Sequence, residues 1–366
     1  MRDLGLTDGQ FGALGSAFLW GFLLSSPFVG RLVRKAPRLV VLCISVVGWS
    51  VALAATGWFR LFAVLLAVRF LFGICQSIFT ATAPPVMDDS VEQKWRARAL
   101  SFFYVAIPLG TALGFIFGAL AERTIGWALG FVILGMIGVV ASFAVFLVPN
   151  KNKSIRLAGS WLKDLRATYS SRLFIWSALG YAAQTFALGA FAFWAPTYIS
   201  RVFDTPVATG SLMFGGLVVA TGIGGAMLGG WVTDRWGGTN RLHFALWISL
   251  VATLVATPFV ILAFAFQSEL VFYMAMAVAQ IALFSTFSPM NMVFMDSVPV
   301  AARTAALGSS VFISRLLGDT ISVWLVGVLS DVFNDMRPAM LIIPAALALN
   351  AVLWFKASRV AKKNSN

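Results

Sequence analysis

The chain is poor in histidine, cysteine and acidic residues. Its 366 residues include one His, two Cys and 14 Asp or Glu. A single histidine excludes the usual His-based catalytic triads and multi-histidine metal sites, and two cysteines inside apolar segments exclude a thiolate cluster. No glycine-rich phosphate loop follows a strand. The sequence therefore predicts a protein that is not an enzyme and that holds no metal ion or cofactor.

Charged residues of both signs are scarce. They make up 11% of the chain, whereas hydrophobic residues make up 60%, and the mean hydropathy is +0.88. Soluble domains are about one quarter charged. The 33 Phe and 13 Trp residues leave too little polar surface to cover a soluble globule of this size. The composition predicts an all-α, multi-pass integral membrane protein.

Apolar windows of about 20 residues, the length that crosses a bilayer as a helix, divide the chain. Five of them precede a long basic loop and six follow it. The eleven predicted spans are 11–30, 38–57, 61–86, 99–121, 127–148, 173–198, 208–232, 242–266, 270–294, 305–330 and 338–357.

The basic residues are distributed unevenly between the loops. If the C-terminus is cytoplasmic, 20 of the 27 Lys and Arg residues lie in inner loops and five in outer loops. This excess follows the positive-inside rule and predicts an outer N-terminus. Membrane topology then accounts for the net charge of +13, and no nucleic-acid partner is predicted.

Two short motifs recur about 200 residues apart. Gly230 begins a segment that ends in the acid–base pair Asp234–Arg235, and the segment from Gly30 keeps the glycine but carries Arg34 in the place of the acid. Similarly, the segment 87–90 (MDDS), followed by Arg98, matches the segment 295–297 (MDS), followed by Arg303. The repeat predicts two pseudo-symmetric helical halves, 1–148 and 173–366, joined by a cytoplasmic linker, 149–172, with an amphipathic helix. With five spans before the linker and six after it, the first helix of the first half is expected to be missing.

These features resemble the major facilitator superfamily, whose two related halves enclose a site near the middle of the bilayer. Four strings narrow the resemblance to the spinster family: 100–110 (LSFFYVAIPLG), 126–129 (GWAL), 193–196 (FWAP) and 316–319 (LLGD). The resemblance runs to about Asp335. It implies a major facilitator fold, with about 11 spans here instead of 12, and the transport of amphipathic lipids such as lysophospholipids or sphingosine phosphates, with proton coupling in some members.

Ionisable residues inside spans are the first candidates for function, because each costs roughly 2.5 to 3.5 kcal/mol near the bilayer centre. Arg69 lies in the third span, and Gln76 follows on the same helical face. The spinster resemblance implies an arginine followed by a glutamate that handles protons. This chain has Gln76 at the position of that glutamate, and an amide cannot titrate. Arg69 is interpreted as a clamp for an anionic headgroup, the alternative being an arginine that snorkels or bonds backbone carbonyls.

Arg315 and Asp319 are four residues apart in the tenth span and share a helical face. They are interpreted as an ion pair that either locks the structure or couples transport to protons through Asp319. Asp234 and Arg235 are interpreted as a gating signature, the alternative being a plain surface pair. Tyr104 and Trp194 lie near prolines that interrupt spans, Pro108 and Pro196, and they are predicted to contact the substrate.

The sequence thus predicts a transporter that moves an amphipathic lipid-like or organic-anion substrate by alternating access, with the bilayer and protons as its other partners. The alternatives are a symporter of small soluble organic anions and a non-transporting sensor or inactive truncated product. The predicted location is an endolysosomal or plasma membrane in a eukaryote, or the inner membrane in a bacterium.

Overall fold

The computed structural model describes residues 4–35, 37–90, 110, 113–147, 161–237 and 241–365. In these ranges every regular element is a helix, which confirms the predicted all-α class. Internal contacts divide the chain into two compact units, Met1–Leu157 and Ala158–Asn366. They are called the N-unit and the C-unit below. The division falls inside the predicted linker 149–172.

The N-unit contains five described helices. Pro37 precedes the second helix, where its lack of an N–H costs nothing. Gly126 separates the fourth and fifth helices with a φ of +80°, a left-handed conformation that favours glycine, and its N–H donates to the carbonyl of Ala121. The helices are α1 (Asp8–Lys35), α2 (Arg38–Trp58), α3 (Phe62–Ser90), α4 (113–124) and α5 (Trp127–Ser142), which continues as a 3-10 turn, Phe143–Leu147.

Close backbone approach holds the N-unit helices together. α3 packs against α1 and α2, and α2 also packs against α5. A Cβ atom on Gly21 of α1 would overlap the carbonyl of Phe70 on α3, and one on Gly73 of α3 would overlap the carbonyl of Phe18 on α1. Small residues at such crossings let membrane helices gain van der Waals contact, since lipid supplies no hydrophobic force between them.

The C-unit contains ten helices in its described part. Two of its membrane spans are irregular. The span Glu269–Asp296 is interrupted between α10 and α11, and the span Val300–Phe333 contains a π-helical turn, Arg315–Asp319. The helices are α6 (Trp161–Ser170), α7 (Arg172–Val202), α8 (Val207–Trp236), α9 (Arg241–Ala265), α10 (Glu269–Phe284), α11 (Phe287–Asp296), α12 (Arg303–Ser314), α13 (Thr320–Phe333), α14 (Met336–Met340) and α15 (Ile342–Ser365).

Buried polar side chains cross-link the C-unit around α7. Asn350 of α15 donates to the carbonyl of Gly180 at 2.6 Å and accepts from the hydroxyl of Thr253 on α9, also at 2.6 Å. At the break between α10 and α11, the amide nitrogen of Gln184 donates to the carbonyl of Leu283 at 2.7 Å and to the hydroxyl of Thr286 at 2.8 Å. Since hydrocarbon offers no competing hydrogen bonds, such contacts satisfy groups that would otherwise be costly.

Nine helical segments in the described ranges are long and apolar enough to cross a membrane, and they coincide with nine of the eleven predicted spans. The predicted span 11–30 lies inside α1, a helix of 28 residues that is not among the nine. The predicted span 99–121 falls largely outside the described residues. The multi-pass architecture is confirmed, whereas the count of eleven and the missing first helix stay predictions.

The crossing of α1 and α3 generates a stability prediction. Gly73→Ala places a methyl group against the backbone of α1, and overpacking of this kind costs about 1–3 kcal/mol. We expect the apparent Tm of the detergent-purified protein to fall by several degrees. Gly118→Ala in α4 is the matched control, because nothing lies within 4 Å of its added Cβ. Equal Tm values for the two variants would contradict the close approach.

Candidate functional site

A half-buried arginine and a half-buried glutamine lie on one face of α3. The Nε atom of Arg69 and the Oε1 atom of Gln76 are both buried, and neither has a hydrogen-bond partner among the residues that the structure describes. Phe72 lies between them on this face and packs edge-on against Phe18 of α1, with the ring centroids 5.4 Å apart. The guanidinium lies against the ring of Phe131 on α5, whose centroid is 5.4 Å from Cζ.

These unsatisfied atoms are notable because a buried polar group without a partner costs about 1–3 kcal/mol, and more when it is charged. The contact with Phe131 is a cation–π interaction, which does not replace the N–H···O hydrogen bonds that a guanidinium can form. A guanidinium presents five N–H donors in a planar fork that matches carboxylate and phosphate oxygens. The face of Arg69, Phe72 and Gln76 is called the α3 face below, and its chemistry suits an anionic oxygen next to an apolar surface.

A paired arginine occupies the C-unit. Nη1 of Arg315 lies 2.9 Å from Oδ2 of Asp319, and the two side chains are 44% and 18% exposed. Both belong to the π-helical turn, in which the N–H of Thr320 bonds the carbonyl of Arg315. π-helical turns are rare and occur frequently at functional sites. The two side chains therefore form the ion pair that their spacing predicts, in a locally irregular helix.

A face of α7 that the sequence reasoning missed packs against this turn. The hydroxyl of Thr185 shares its proton between the carbonyl of Ala182 in its own helix, at 3.0 Å, and the carbonyl of Ser314, at 3.2 Å. A Cβ on Gly189 would lie 3.0 Å from Oδ1 of Asp319. Tyr181 interacts electrostatically with Arg315 and Asp319. The four-residue spacing of Tyr181, Thr185 and Gly189 is the signal that could have identified this face.

Trp194 lies in the helix packing of the C-unit. Its side chain is fully buried, and Nε1 donates to the carbonyl of Val323 on α13 at 2.9 Å. The indole thus has no surface open to a ligand in this conformation, and its N–H is already satisfied. The substrate contact expected at Trp194 stays a prediction. Tyr104 lies outside the described residues.

The acid of the predicted gating signature pairs across a helix connection. Asp234, at the end of α8, forms an ion pair of 3.0 Å with Arg241 of α9, whereas Arg235 is exposed. A similar pair of 2.7 Å joins Asp296, at the end of α11, to Arg303 of α12. Both pairs join residues seven apart and tie one helix end to the next helix start. The gating role of Asp234 and Arg235 stays a prediction.

The described residues include no group of three or more His, Cys, Asp or Glu side chains that could hold a metal ion. The candidate sites are thus the α3 face in the N-unit and the Arg315–Asp319 pair in the C-unit.

Comparison with known proteins places this architecture in a family. The family model described as "Major Facilitator Superfamily" matches residues 1–322. The chain belongs to the major facilitator superfamily. Its location as an integral, multi-pass membrane protein agrees with the nine apolar helices of the described ranges.

Among members of the superfamily, spinster proteins are similar over most of the chain. The probable sphingolipid transporter spinster homolog 1 of Arabidopsis thaliana is 28% identical over 387 residues, which cover 96% of this chain and 78% of the relative. The sphingosine-1-phosphate transporter SPNS2 of Mus musculus is 30% identical over 361 residues, which cover 91% of this chain and 65% of the relative.

A solved structure of a bacterial homologue of the human lysosomal transporter spinster has the same fold. Its TM-score is 0.88 at 20% identity, and the match covers 99% of this chain and 91% of the other. The predicted resemblance to spinster proteins and the predicted major facilitator fold are both confirmed.

The contact between α7 and the π-helical turn gives a prediction about stability. Thr185→Val keeps the shape of the side chain and removes the hydrogen bond to Ser314, so we expect a loss of about 1 kcal/mol and a lower Tm. Thr257→Val is the matched control, because its hydroxyl, like that of Thr185, bonds a carbonyl of its own helix, that of Thr253, but bonds no second helix among the described residues. The contact is unimportant if the two Tm values agree.

Proposed function

We propose that this chain is a transporter of amphipathic, anionic, lipid-like substrates, and that Arg69 binds the anionic headgroup. The observation that carries the proposal is the buried Nε of Arg69, which lies on the same face of α3 as the buried Oε1 of Gln76; in the described ranges neither atom has a hydrogen-bond partner. The names of the relatives, a sphingolipid transporter and a sphingosine-1-phosphate transporter, support the substrate class. The proposed activity is translocation, with no chemical change of the substrate.

The α3 face supplies what such a headgroup needs. Phe131 lies against the guanidinium of Arg69 and helps to orient it, while the N–H groups remain available to phosphate or carboxylate oxygens. Gln76 can accept from a hydroxyl or ammonium group and can donate through its own nitrogen. Phe72 provides apolar surface between the two polar groups for the first carbons of a lipid chain.

The proposal is tested on transport of a fluorescent lysophospholipid into proteoliposomes. Arg69→Gln removes the charge, and since hydrogen bonds to charged groups contribute about 1.5–3 kcal/mol, we expect the substrate to bind roughly ten- to a hundredfold more weakly. Arg69→Lys keeps the charge but loses the planar fork, so we expect an intermediate loss. Binding is measured by titration of the same substrate in detergent.

Arg60→Gln is the matched control for this experiment. It removes one positive charge from the N-unit at an exposed position, where Arg60 lies against the ring of Trp127. Its transport should equal that of the parent. Undiminished binding of phosphorylated lipids by Arg69→Gln would remove Arg69 from the site, and preferential transport of small soluble organic anions would favour a different substrate class.

We further propose that any proton coupling runs through Asp319. Gln76 cannot titrate, and among the carboxylates in the described ranges Asp319 lies far from both ends of its span, Val300–Phe333. Protonation of Asp319 would break its ion pair with Arg315, so occupancy by a proton and opening of the pair are linked.

Transport with and without an imposed pH gradient checks this second proposal. We expect the gradient to raise uptake by the parent protein but not by Asp319→Asn, with downhill uptake remaining in both. Asp331→Asn, at the exposed end of α13, is the control and should keep the response of the parent. A gradient that raises uptake equally in the parent and in Asp319→Asn would place the coupling site elsewhere, and a gradient without effect on the parent would identify a facilitator.

A further inference from the structure

Two cations at the end of the last helix are held against aromatic rings. Nζ of Lys356 on α15 lies 4.8 Å from the ring centroid of Trp176 on α7. Cζ of Arg359 lies 5.6 Å from the ring centroid of Phe355, one turn earlier on the same helix. Both cations are exposed, and cation–π contacts restrict where their charges can lie.

The packing of α7 and α15 brings a third cation to the same level. Asn350 and Trp354 of α15 bond the carbonyls of Gly180 and Ser177 on α7, so the residue numbers of the two helices run in opposite directions through the contact. Lys356 over Trp176 continues this register. One more turn along each helix brings Arg359 level with the start of α7, where Arg172 is exposed.

These three cations have no carboxylate partner among the described residues. At the neighbouring helix ends, Asp234 and Asp296 are already paired with Arg241 and Arg303. No ion pair involves Arg172, Lys356 or Arg359 in the part of the chain that the structure describes. The group of Arg172, Trp176, Lys356 and Arg359 is called the basic patch below. It carries three positive charges within about two helical turns, none of them in an ion pair within the described ranges.

The position of the basic patch identifies the kind of anion that would complement it. Its residues lie at the ends of two apolar spans, Arg172–Val202 and Met336–Lys362. Tryptophan favours the headgroup level of a bilayer, and Lys and Arg residues near an anionic membrane surface are attracted to it. Phe355 is 50% exposed beside the cations, which provides apolar surface for the start of an acyl chain.

We propose that the basic patch binds the phosphate of an anionic phospholipid from the adjoining membrane leaflet, as a bound lipid of the C-unit and not as the transported substrate. The phosphate would lie between Lys356 and Arg359, with Arg172 completing the positive surface. This inference does not depend on the α3 face, which belongs to the N-unit.

Native mass spectrometry of the full chain in detergent tests the proposal by counting the phosphatidylglycerol molecules that each chain retains, with phosphatidylcholine as the reference lipid. We expect one phosphatidylglycerol to bind about tenfold more tightly than phosphatidylcholine and to be released as ionic strength rises. The double variant Lys356→Gln, Arg359→Gln should lose this preference. Trp176→Leu, which keeps all three charges, should weaken it, because Lys356 loses the ring that positions it.

The matched control removes two positive charges from the same unit at a different place. Lys163 and Arg166 are exposed on α6, and the double variant Lys163→Gln, Arg166→Gln should keep the preference of the parent. Equal loss in the two double variants would show general attraction by net charge and would overturn a defined site. Retention of the preference without Lys356 and Arg359 would overturn it too, as would displacement of the lipid by an equal concentration of glycerol phosphate, which would indicate a site for free anions.

Discussion

The absence of water in the bilayer core is the constraint on which this structure depends. Every polar group that a helix carries into the hydrocarbon needs a partner within the protein. The C-unit meets this requirement with side chains that bond backbone carbonyls across helices, as Asn350 and Gln184 do. The requirement is not met everywhere, because the buried hydroxyls of Ser177, Tyr198, Ser249 and Tyr273 have no hydrogen-bond partner among the described residues. The Nε of Arg69, which also lacks a partner there, differs from these hydroxyls because it belongs to a charged group, for which an unmet hydrogen bond costs more.

Arg69 and Arg315 both lie inside predicted spans, but their surroundings differ. Arg315 has a carboxylate four residues away, and the pair is neutral as a unit, so the span tolerates it at modest cost. Arg69 has an aromatic ring instead, which orients the guanidinium but does not neutralise it. In the described ranges, the arginine in a span of the C-unit is paired with a carboxylate and the one in a span of the N-unit is not, so the two arginines are chemically unequal.

Much of this arrangement follows from the sequence because it depends on local spacing. Hydropathy located the spans, and the four-residue separation of Arg315 and Asp319 predicted their contact. Contacts between distant segments were not predictable in the same way. Asp234 adjoins Arg235 in sequence but pairs with Arg241, because successive residues on a helix point in different directions and the turn to α9 brings Arg241 close.

Burial was harder to predict than the elements themselves. Trp194 precedes a proline, which suggested an opening in the helix, but its indole fills the contact with α13. The π-helical turn, which packs against the surface of α7, has no signature in composition. Thr185 and Gly189 could be assigned to that surface only when the helix they face was known.

The bond between Gln184 and the interruption of α10 and α11 has a consequence for how this sequence can vary. The amide nitrogen serves both the carbonyl of Leu283 and the hydroxyl of Thr286, and all of these groups are buried. Replacing Thr286 with an apolar residue would leave part of the amide unsatisfied, and replacing Gln184 would leave the interruption without its donor. Positions 184 and 286 are thus expected to co-vary among related sequences, because a paired substitution is tolerated where either single substitution is not.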